Sequence, residues 1–238
     1  PEAIDPRLVA ARLIDLSANR DGFIADLSPA GRPGAMLVGS SPEVLVKRQG
    51  STVSAFPLAG SSPRRASAAE DHLAGQDLLH SSKDLHEHAF VVDHLRRALT
   101  PLCERLDIPD VPQLISTNEM WHLGTPISGT LKDKDLTALE LALAVHPTPA
   151  ICGTPAEAAQ ALIETAETDR GFYAGAVGWC DSSGDGEYMV AIRCAEVAGD
   201  GLSARAWAGG GIVGDSDAQA ELEETTAKLR TILKALSL

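Results

Sequence analysis

Two stretches of the chain place carboxylates where a helix would gather them. In "ELEETTAK", Glu221 to Lys228, the residues Glu221, Glu224 and Lys228 are three and four apart, so one helix face carries them in a line. At 100° per residue, Leu222, Thr225, Leu229, Ile232 and Leu236 form an apolar stripe bordering that line. Glu223, Arg230 and Lys234 fall on the opposite side. Taken alone, the line reads equally as a salt-bridge ladder at the edge of the stripe. The segment "SSKDLHEHAFVVDHLRRAL" repeats the pattern. Its apolar side carries Leu85, Val91, Val92, Leu95 and Leu99, and Asp84 and Glu87 sit on or beside it, while Asp93 and Arg97 point away. Carboxylates that face inward are costly to desolvate unless paired or bound to a cation. Two helices, each with an inward acidic pair, suit a hard divalent ion. Ligation by carboxylates with retained waters favours Mg²⁺ over Zn²⁺.

These residues need elements to hold them. The pattern predicts a helix over Ile4–Leu16, and strand, turn, strand, turn, strand over "AMLVGSSPEVLVKRQGSTVSAFPLAG". Residues 67–100 read as a long helical region with a break near Ser81–Ser82, which can cap its second part. "VPQLISTNEMWHLGTPISGTL" reads as two strands joined by a turn. Leu136–Val145 is a helix stopped by "HPTPA", and Ala156–Glu164 is another. Residues 172–213 read as three antiparallel strands with hairpin signals at "SSGDG" and "GDG". A last helix runs from about Asp217 to Leu236. Strands come in blocks, which implies α+β and not a doubly wound parallel sheet. No repeat or low-complexity linker divides residues 1–238.

At 238 residues the chain can bury a large core, and 44% hydrophobic with 22% charged residues is ordinary for a globular protein. The formal net charge is −13, with no Lys/Arg cluster interleaved with aromatics, so nucleic acid is not an expected partner. No apolar run reaches the roughly 18 residues of a membrane span. Cys103, Cys152, Cys180 and Cys194 are far apart without Cys-x-x-Cys spacing. They are expected to be reduced core thiols of a cytoplasmic protein. A monomer is expected.

Three short motifs carry less. "GGGIVG" matches Gly-x-Gly-x-x-Gly at Gly209, Gly211 and Gly214, but a dinucleotide site needs the following helix to lead to a second parallel strand, which residues 1–238 do not include, so a nucleotide is not the expected ligand. The glycines are read as letting backbone approach a ligand or a tight bend. "GSSPEV" does not complete a nucleophile elbow, and "HEHAF" lacks the second histidine of a zinc-protease helix.

A larger set of motifs carries a resemblance. "SPE" (Ser41–Glu43), "PLAGS" (Pro57–Ser61), "KDLHEH" (Lys83–His88) and "WHLGTPISG" (Trp121–Gly129) come first. "HPTPAICGTP" (His146–Pro155), "DRGFYAGAVGW" (Asp169–Trp179), "VAIRCAE" (Val190–Glu196) and "AGGGIV…ELEETTAK" follow. In this order they resemble the chorismate-utilising enzymes, most closely the isochorismate synthases, from about Leu8 onward. "HPTPA" resembles the isochorismate-synthase branch. The resemblance implies an α+β fold of antiparallel sheets packed together with helices outside, and a Mg²⁺-dependent isomerisation. In it chorismate loses its C4 hydroxyl while water adds at C2.

By the same resemblance, Glu43 matches the general acid that protonates the departing hydroxyl. Glu87 and Glu224 match the Mg²⁺ ligands, with Asp84 and Glu221 behind them and able to act through water. Gly60, Ser61, Ala150, Arg193, Gly209 and Lys228 match positions that hold substrate, and His122 and Tyr173 match residues lining the cavity. The residue types suit the task. Chorismate is a dianion and the protein is acidic, so binding must come from local positive features. Arg193 can grip a carboxylate with two hydrogen bonds, and the amides of Gly209–Gly211 can reach an anion. Hydroxide leaves poorly, so Glu43 must deliver a proton near neutral pH, which requires burial to raise its pKa.

One part of the pattern has no match. The family's general-base lysine lies in a "KVVL"-type strand ahead of "SPE", whereas the first lysine here is Lys47. The N-terminal half of the usual fold also has no counterpart, and the chain opens on "PEAIDPRLV" without Met. The expectation is that residues 1–238 are the C-terminal portion of a longer chorismate-binding domain, with weak or no turnover alone. A short homologue that binds without catalysis is the other reading. Isochorismate would feed siderophore or menaquinone synthesis. Salicylate synthase, which eliminates pyruvate in a similar site, is the alternative activity.

Overall fold

The computed structural model describes residues 3–17 and 20–237. Helix α1 (Pro6–Leu16) opens the described chain, capped by the Asp5 side chain accepting from the Arg7 amide. Strands β1 (Gly22–Asp26), β2 (Met36–Ser40), β3 (Val44–Gln49), β4 (Thr52–Phe56) and β5 (Leu58–Pro63) follow. Helices α2 (Ala68–His80) and α3 (Ser82–Leu99) meet at Ser81, which ends one and caps the other by accepting from the Asp84 amide. Strands β6 (Cys103–Asp107), β7 (Gln113–Ser116), β8 (Met120–Gly124) and β9 (Ile127–Leu131) come next. Helix α4 (Ala138–Val145) starts with a capping box between Thr137 and Glu140. The short α5 (Pro149–Cys152) and α6 (Ala156–Ala166) lead to β10 (Ala176–Cys180), β11 (Gly186–Val190), β12 (Cys194–Val197) and β13 (Ala204–Ala206). Helix α7 (Ala218–Ala235) ends the described elements, capped by Asp217.

The expected α+β class holds, and every described strand pair is antiparallel. The strand count differs from expectation. The stretch from Ala35 holds four strands, because β5 begins straight after Pro57. Val111–Leu131 holds three strands, and residues 172–213 hold four that divide between two sheets. Strands β1 and β6 and helix α5 were not anticipated. Strand β6 reads "CERLD", with charges outward on a sheet edge, and α5 is too short to show a period.

Hydrogen bonding defines sheets of order β1-β2-β12-β13, β10-β11-β3-β4-β9-β6 and β5-β8-β7. Val91, Leu95 and Leu99 of α3 and Leu141 and Val145 of α4 pack on the six-stranded sheet through Leu45, Val53 and Ile127. Val9 and Leu13 of α1 and Ile232 of α7 cover one face of the four-stranded sheet at Val38 and Val197. Leu37, the next residue along β2 from Val38, belongs to a third cluster with Leu27, Ala35 and Cys194, so this strand buries both faces.

The chain passes between sheets six times, and four of these crossings concern the site. It passes β2 to β3 through Pro42–Glu43, β4 to β5 at Pro57, β8 to β9 through Thr125, and β11 to β12 through Ile192–Arg193. Backbone hydrogen bonds tie two of these crossings together. The Ser40 amide donates to Arg193 O (3.2 Å), and the Val190 amide donates to Glu43 O (3.2 Å). Pro42 and Glu43, Leu58 just past Pro57, and Ile192 and Arg193 line one cavity.

Candidate active site

The crossings deliver the side chains. Glu43 is 3% exposed, Arg193 7% and His122, on β8, 5%. Arg193 adopts φ 51°, a left-handed conformation uncommon for a residue with a side chain. With Gly60, Ser61, Ala150, Tyr173, Gly209, Lys228 and Glu87, these three line a cavity of about 110 Å³. Glu224, Asp84 and Glu221 lie one step out, lining an adjoining cleft that shares Ser61 with the cavity. Every residue that the resemblance assigns to the site therefore lines the cavity or this cleft.

Electrostatics divide the cavity into floor and rim. On the floor, burial pushes Glu43 up to about 7, against the Leu58 amide, Lys228 and Arg193, which all favour its charged form. Burial also pulls Arg193 down to about 10 and holds His122 well below its ordinary range, with Arg193 and Lys228 adding to the second effect. His122 is therefore neutral, and its Nε2 accepts from the Arg193 guanidinium (3.3 Å). On the rim, burial again leads and pushes Glu87 up to about 7, but here the charges of Glu224 and Asp84 push the same way.

Helix α7 keeps most of the apolar stripe expected of it, with Leu229, Ile232 and Leu236 packed in the core, but loses the first member. Leu222 is 59% exposed, whereas Glu221 is buried and Glu224 and Lys228 are half-buried. Ala227, Ile232 and Ala235 supply the buried apolar positions. The acidic line is thus the inward face of the first turns, and it does not merely border a stripe. Each of its carboxylates is held by a lysine. Lys228 Nζ donates to Glu224 Oε1 (2.5 Å) and to Gly209 O (2.9 Å). Lys83 Nζ, from α3, donates to Glu221 Oε1 (2.8 Å).

The glycine run explains how the two carboxylate helices come so near one backbone. A Cβ on Gly211 would stand 2.3 Å from Glu87 Oε1, and one on Gly210 would stand 3.1 Å from Glu221 Oε2 and 3.3 Å from Glu224 Oε1. A side chain at either position would push these carboxylates aside. Among the described residues no three His, Cys, Asp or Glu side chains are already gathered as a metal site. The donor set nevertheless fits a hard cation. Carboxylate oxygens from two helices converge on the Gly210–Gly211 loop, and their mutual repulsion at Glu87 is what a cation would relieve.

Other residues were not found from the sequence. Pro42, Leu58, Arg170, Ile192 and Trp207 also line the cavity. The Trp207 ring stacks on Tyr173 at 6.1 Å and 7°, and Arg170 donates to Ile151 O (2.7 Å) while gripping Glu167 through two nitrogens. None of them stands in a periodic pattern. Lys47, the first lysine, lies outside the cavity, half exposed and 3.5 Å from Glu187. All four cysteines are free, with Cys103 and Cys194 buried but Cys152 and Cys180 only half-buried, short of the core placement expected for all of them. No described helix is long and apolar enough to cross a membrane.

Comparison with known proteins follows the same motifs. A family model described as chorismate binding enzyme matches residues 16–237. MenF of Mycobacterium tuberculosis is 52% identical over 98% of this chain and 63% of its own length. The isochorismate synthase DhbC of Bacillus subtilis is 47% identical over 99% of this chain and 60% of its own length. The crystal structure of DhbC from Bacillus anthracis aligns with a TM-score of 0.91 and 44% identity, over 99% of this chain and 63% of that one. The chain thus spans under two thirds of the length of these curated relatives, 63% and 60%.

Proposed function

The chain belongs to the chorismate-binding enzymes, and from that premise we propose that its cavity takes chorismate and isomerises it to isochorismate with Mg²⁺. The observation that carries the reading is Glu43, a fully enclosed carboxyl held protonated to about pH 7 while its charged neighbours, Arg193 and Lys228, are cations. Such a cavity attracts a dianion and keeps a proton ready beside it.

The residues divide the work as follows. Arg193, with a rigid fork of donors, binds one substrate carboxylate, and the backbone amides of Gly209–Gly211 approach the other. Gly60, Ser61 and Ala150 shape the wall, and Tyr173 and His122 line it. Glu87 and Glu224 would hold Mg²⁺, with Asp84 and Glu221 behind them acting through water. When bound, the ion supplies positive charge for a substrate carboxylate. Glu43 gives its proton to the C4 hydroxyl, which leaves as water, while a second water adds at C2 and loses a proton. The net reaction is an isomerisation. Lys228, the lysine among the described cavity residues, is tied to Glu224 and Gly209 O, and so is poorly placed to take that proton. Turnover by residues 1–238 alone is accordingly expected to be weak.

Incubation with chorismate and Mg²⁺, followed by separation of products, tests the reading. Isochorismate supports it, and would feed siderophore or menaquinone synthesis. Salicylate with pyruvate points to salicylate synthase. Mg²⁺-dependent binding without product, in a chain that carries the upstream residues of its relatives, makes it a non-catalytic binder.

A further inference from the structure

His88 is buried at 3% exposure, uses both ring nitrogens and has no part in the chemistry above. Its Nδ1 lies 3.1 Å from Ala59 O, and its Nε2 lies 2.7 Å from Thr125 Oγ1. A carbonyl only accepts, so Nδ1 carries the proton, and Nε2 accepts from the threonine hydroxyl. Burial lowers the histidine's pKa, which keeps the ring in this neutral form. The imidazole therefore joins three elements: α3, β5 and the crossing from β8 to β9.

The point it grips on β5 is irregular. Leu58 pairs with Gly124 and Ser61 pairs with His122, so three steps along β5 run against two along β8. One extra residue bulges out, and bulges re-aim the groups around them. Around this bulge the Leu58 amide turns to the Glu43 carboxyl, Ala59 O turns to His88, and Gly60 takes φ 78° against Asp84. A Cβ on Gly60 would lie 3.0 Å from the Asp84 Cβ. Glu87, on the rim, immediately precedes His88 in the sequence. Thr125, the other partner, is itself buried, and its amide reaches back to Pro57 O (3.4 Å) at the start of β5.

We propose that His88, braced by Thr125, is a positioning residue that locks the β5 bulge and so holds the acid Glu43 in register with the carboxylate helix α3. Floor and rim are otherwise carried by elements far apart in sequence. His88 is a buried polar link that sets one against the other. The roles of Glu43 and Glu87 in this statement rest on the chorismate reading, so the first test uses no ligand.

In the ligand-free chain, the exchange of the Leu58 amide and the titration of the Glu43 carboxyl are followed by NMR, with Glu43→Gln giving the assignment. His88→Ala frees the bulge, speeds exchange at Leu58 and moves the Glu43 midpoint upward by about one unit, because a bond favouring the carboxylate is weakened. His88→Asn keeps a donor for Ala59 O and returns both readings towards wild type. Thr125→Val removes only the brace and shifts both in the same direction by less. With Mg²⁺ present, calorimetry with chorismate then shows about tenfold weaker binding for His88→Ala. A folded His88→Ala chain with unchanged Leu58 exchange and Glu43 titration overturns the proposal. If that variant does not fold, unmoved readings in Thr125→Val overturn it instead. A wild-type chain that fails to bind chorismate removes the proposed function, while the ligand-free readings still decide the role of His88.

Discussion

Glu43 on the floor of the cavity and Glu87 on its rim are both pushed up to about 7, yet by different surroundings. Burial leads in both cases. The charges around Glu43 are Lys228 and Arg193, which oppose the shift. Around Glu87, Glu224 and Asp84 reinforce it, with Lys228 and Lys83 opposing. The contrast teaches that one value can mark two roles. A carboxyl held neutral by burial among cations stores a proton. A carboxyl held neutral by burial and by neighbouring carboxylates would release its proton on acquiring a further cation.

The largest expected effect separates the two by rescue. Glu43→Gln lowers turnover of the catalytically complete protein by about 100-fold or more, the scale of a lost general acid, and raising Mg²⁺ does not restore it. Glu87→Gln raises the Mg²⁺ needed for half-maximal turnover, and excess Mg²⁺ recovers part of the rate. Steady-state kinetics over a Mg²⁺ series checks both, and recovery of Glu43→Gln by metal breaks the distinction.

Lys228 joins floor and rim, because its positive charge lowers both acids and its ammonium pairs with Glu224 at 2.5 Å. The pair is largely buried, at 14% and 16% side-chain exposure. Lys228→Met leaves that carboxylate unpaired and destabilises the fold by roughly 3 kcal/mol. Denaturant unfolding at pH 8 measures it, and NMR titration shows both midpoints moving up. Movement of only one would mean that floor and rim are not coupled through this lysine.

The dependence of stability on pH sharpens the comparison next. Both carboxyls keep a proton in the folded protein between their ordinary value of 4.5 and about 7, where the unfolded chain has lost it. The folded state binds more protons in that window, so their contribution to stability falls as pH rises through it and is gone above about 7. His88, His122 and His146, lowered by burial, act oppositely, losing stability as pH falls below 6.5. A difference between variants isolates one group. Glu43→Gln is expected to raise stability above pH 7 by up to about 3 kcal/mol and to change little near pH 4. Mg²⁺ should cancel the corresponding loss at Glu87 but not at Glu43. Thermal unfolding with and without Mg²⁺ at several pH values reads all of this.

The smallest effect checks which face of α7 belongs to the rim. Leu222→Ser, on the exposed side, should change stability by less than about 0.5 kcal/mol. Ile232→Ala, on the buried side, should cost about 2–5 kcal/mol. Equal effects in denaturant unfolding would mean that the helix faces the other way.

Much of this could be read from local pattern. The break at Ser81, the cap at Asp217 and the stripe of Val91, Val92, Leu95 and Leu99 are properties of neighbouring residues, and the structure has them. His88 was legible in the same way, since it continues that stripe at spacings of three, four and seven. The division of residues 172–213 between two sheets was not legible, because strand partners there come from β2 and β3, far away in sequence. The inward placement of Leu222 on α7 failed for a related reason. The apolar Leu222 signalled an inward face, but the cavity claims the inward side for Glu221, Glu224 and Lys228, where lysines and a glycine loop make charge tolerable.

The sequence by itself determined which residue types are present, their helical spacing and the ordered motifs that mark the family. Those depend on chain chemistry and on contacts within a few residues. Only the tertiary structure decided that crossings between different sheets bring Glu43, Leu58 and Arg193 to one cavity. It alone placed Glu43 beside cations and brought the carboxylates of Glu224 and Asp84 to Glu87, and it gave the Ala59 carbonyl to His88. Burial and electrostatic surroundings are sums over groups brought together from across the chain, and no spacing along it encodes them.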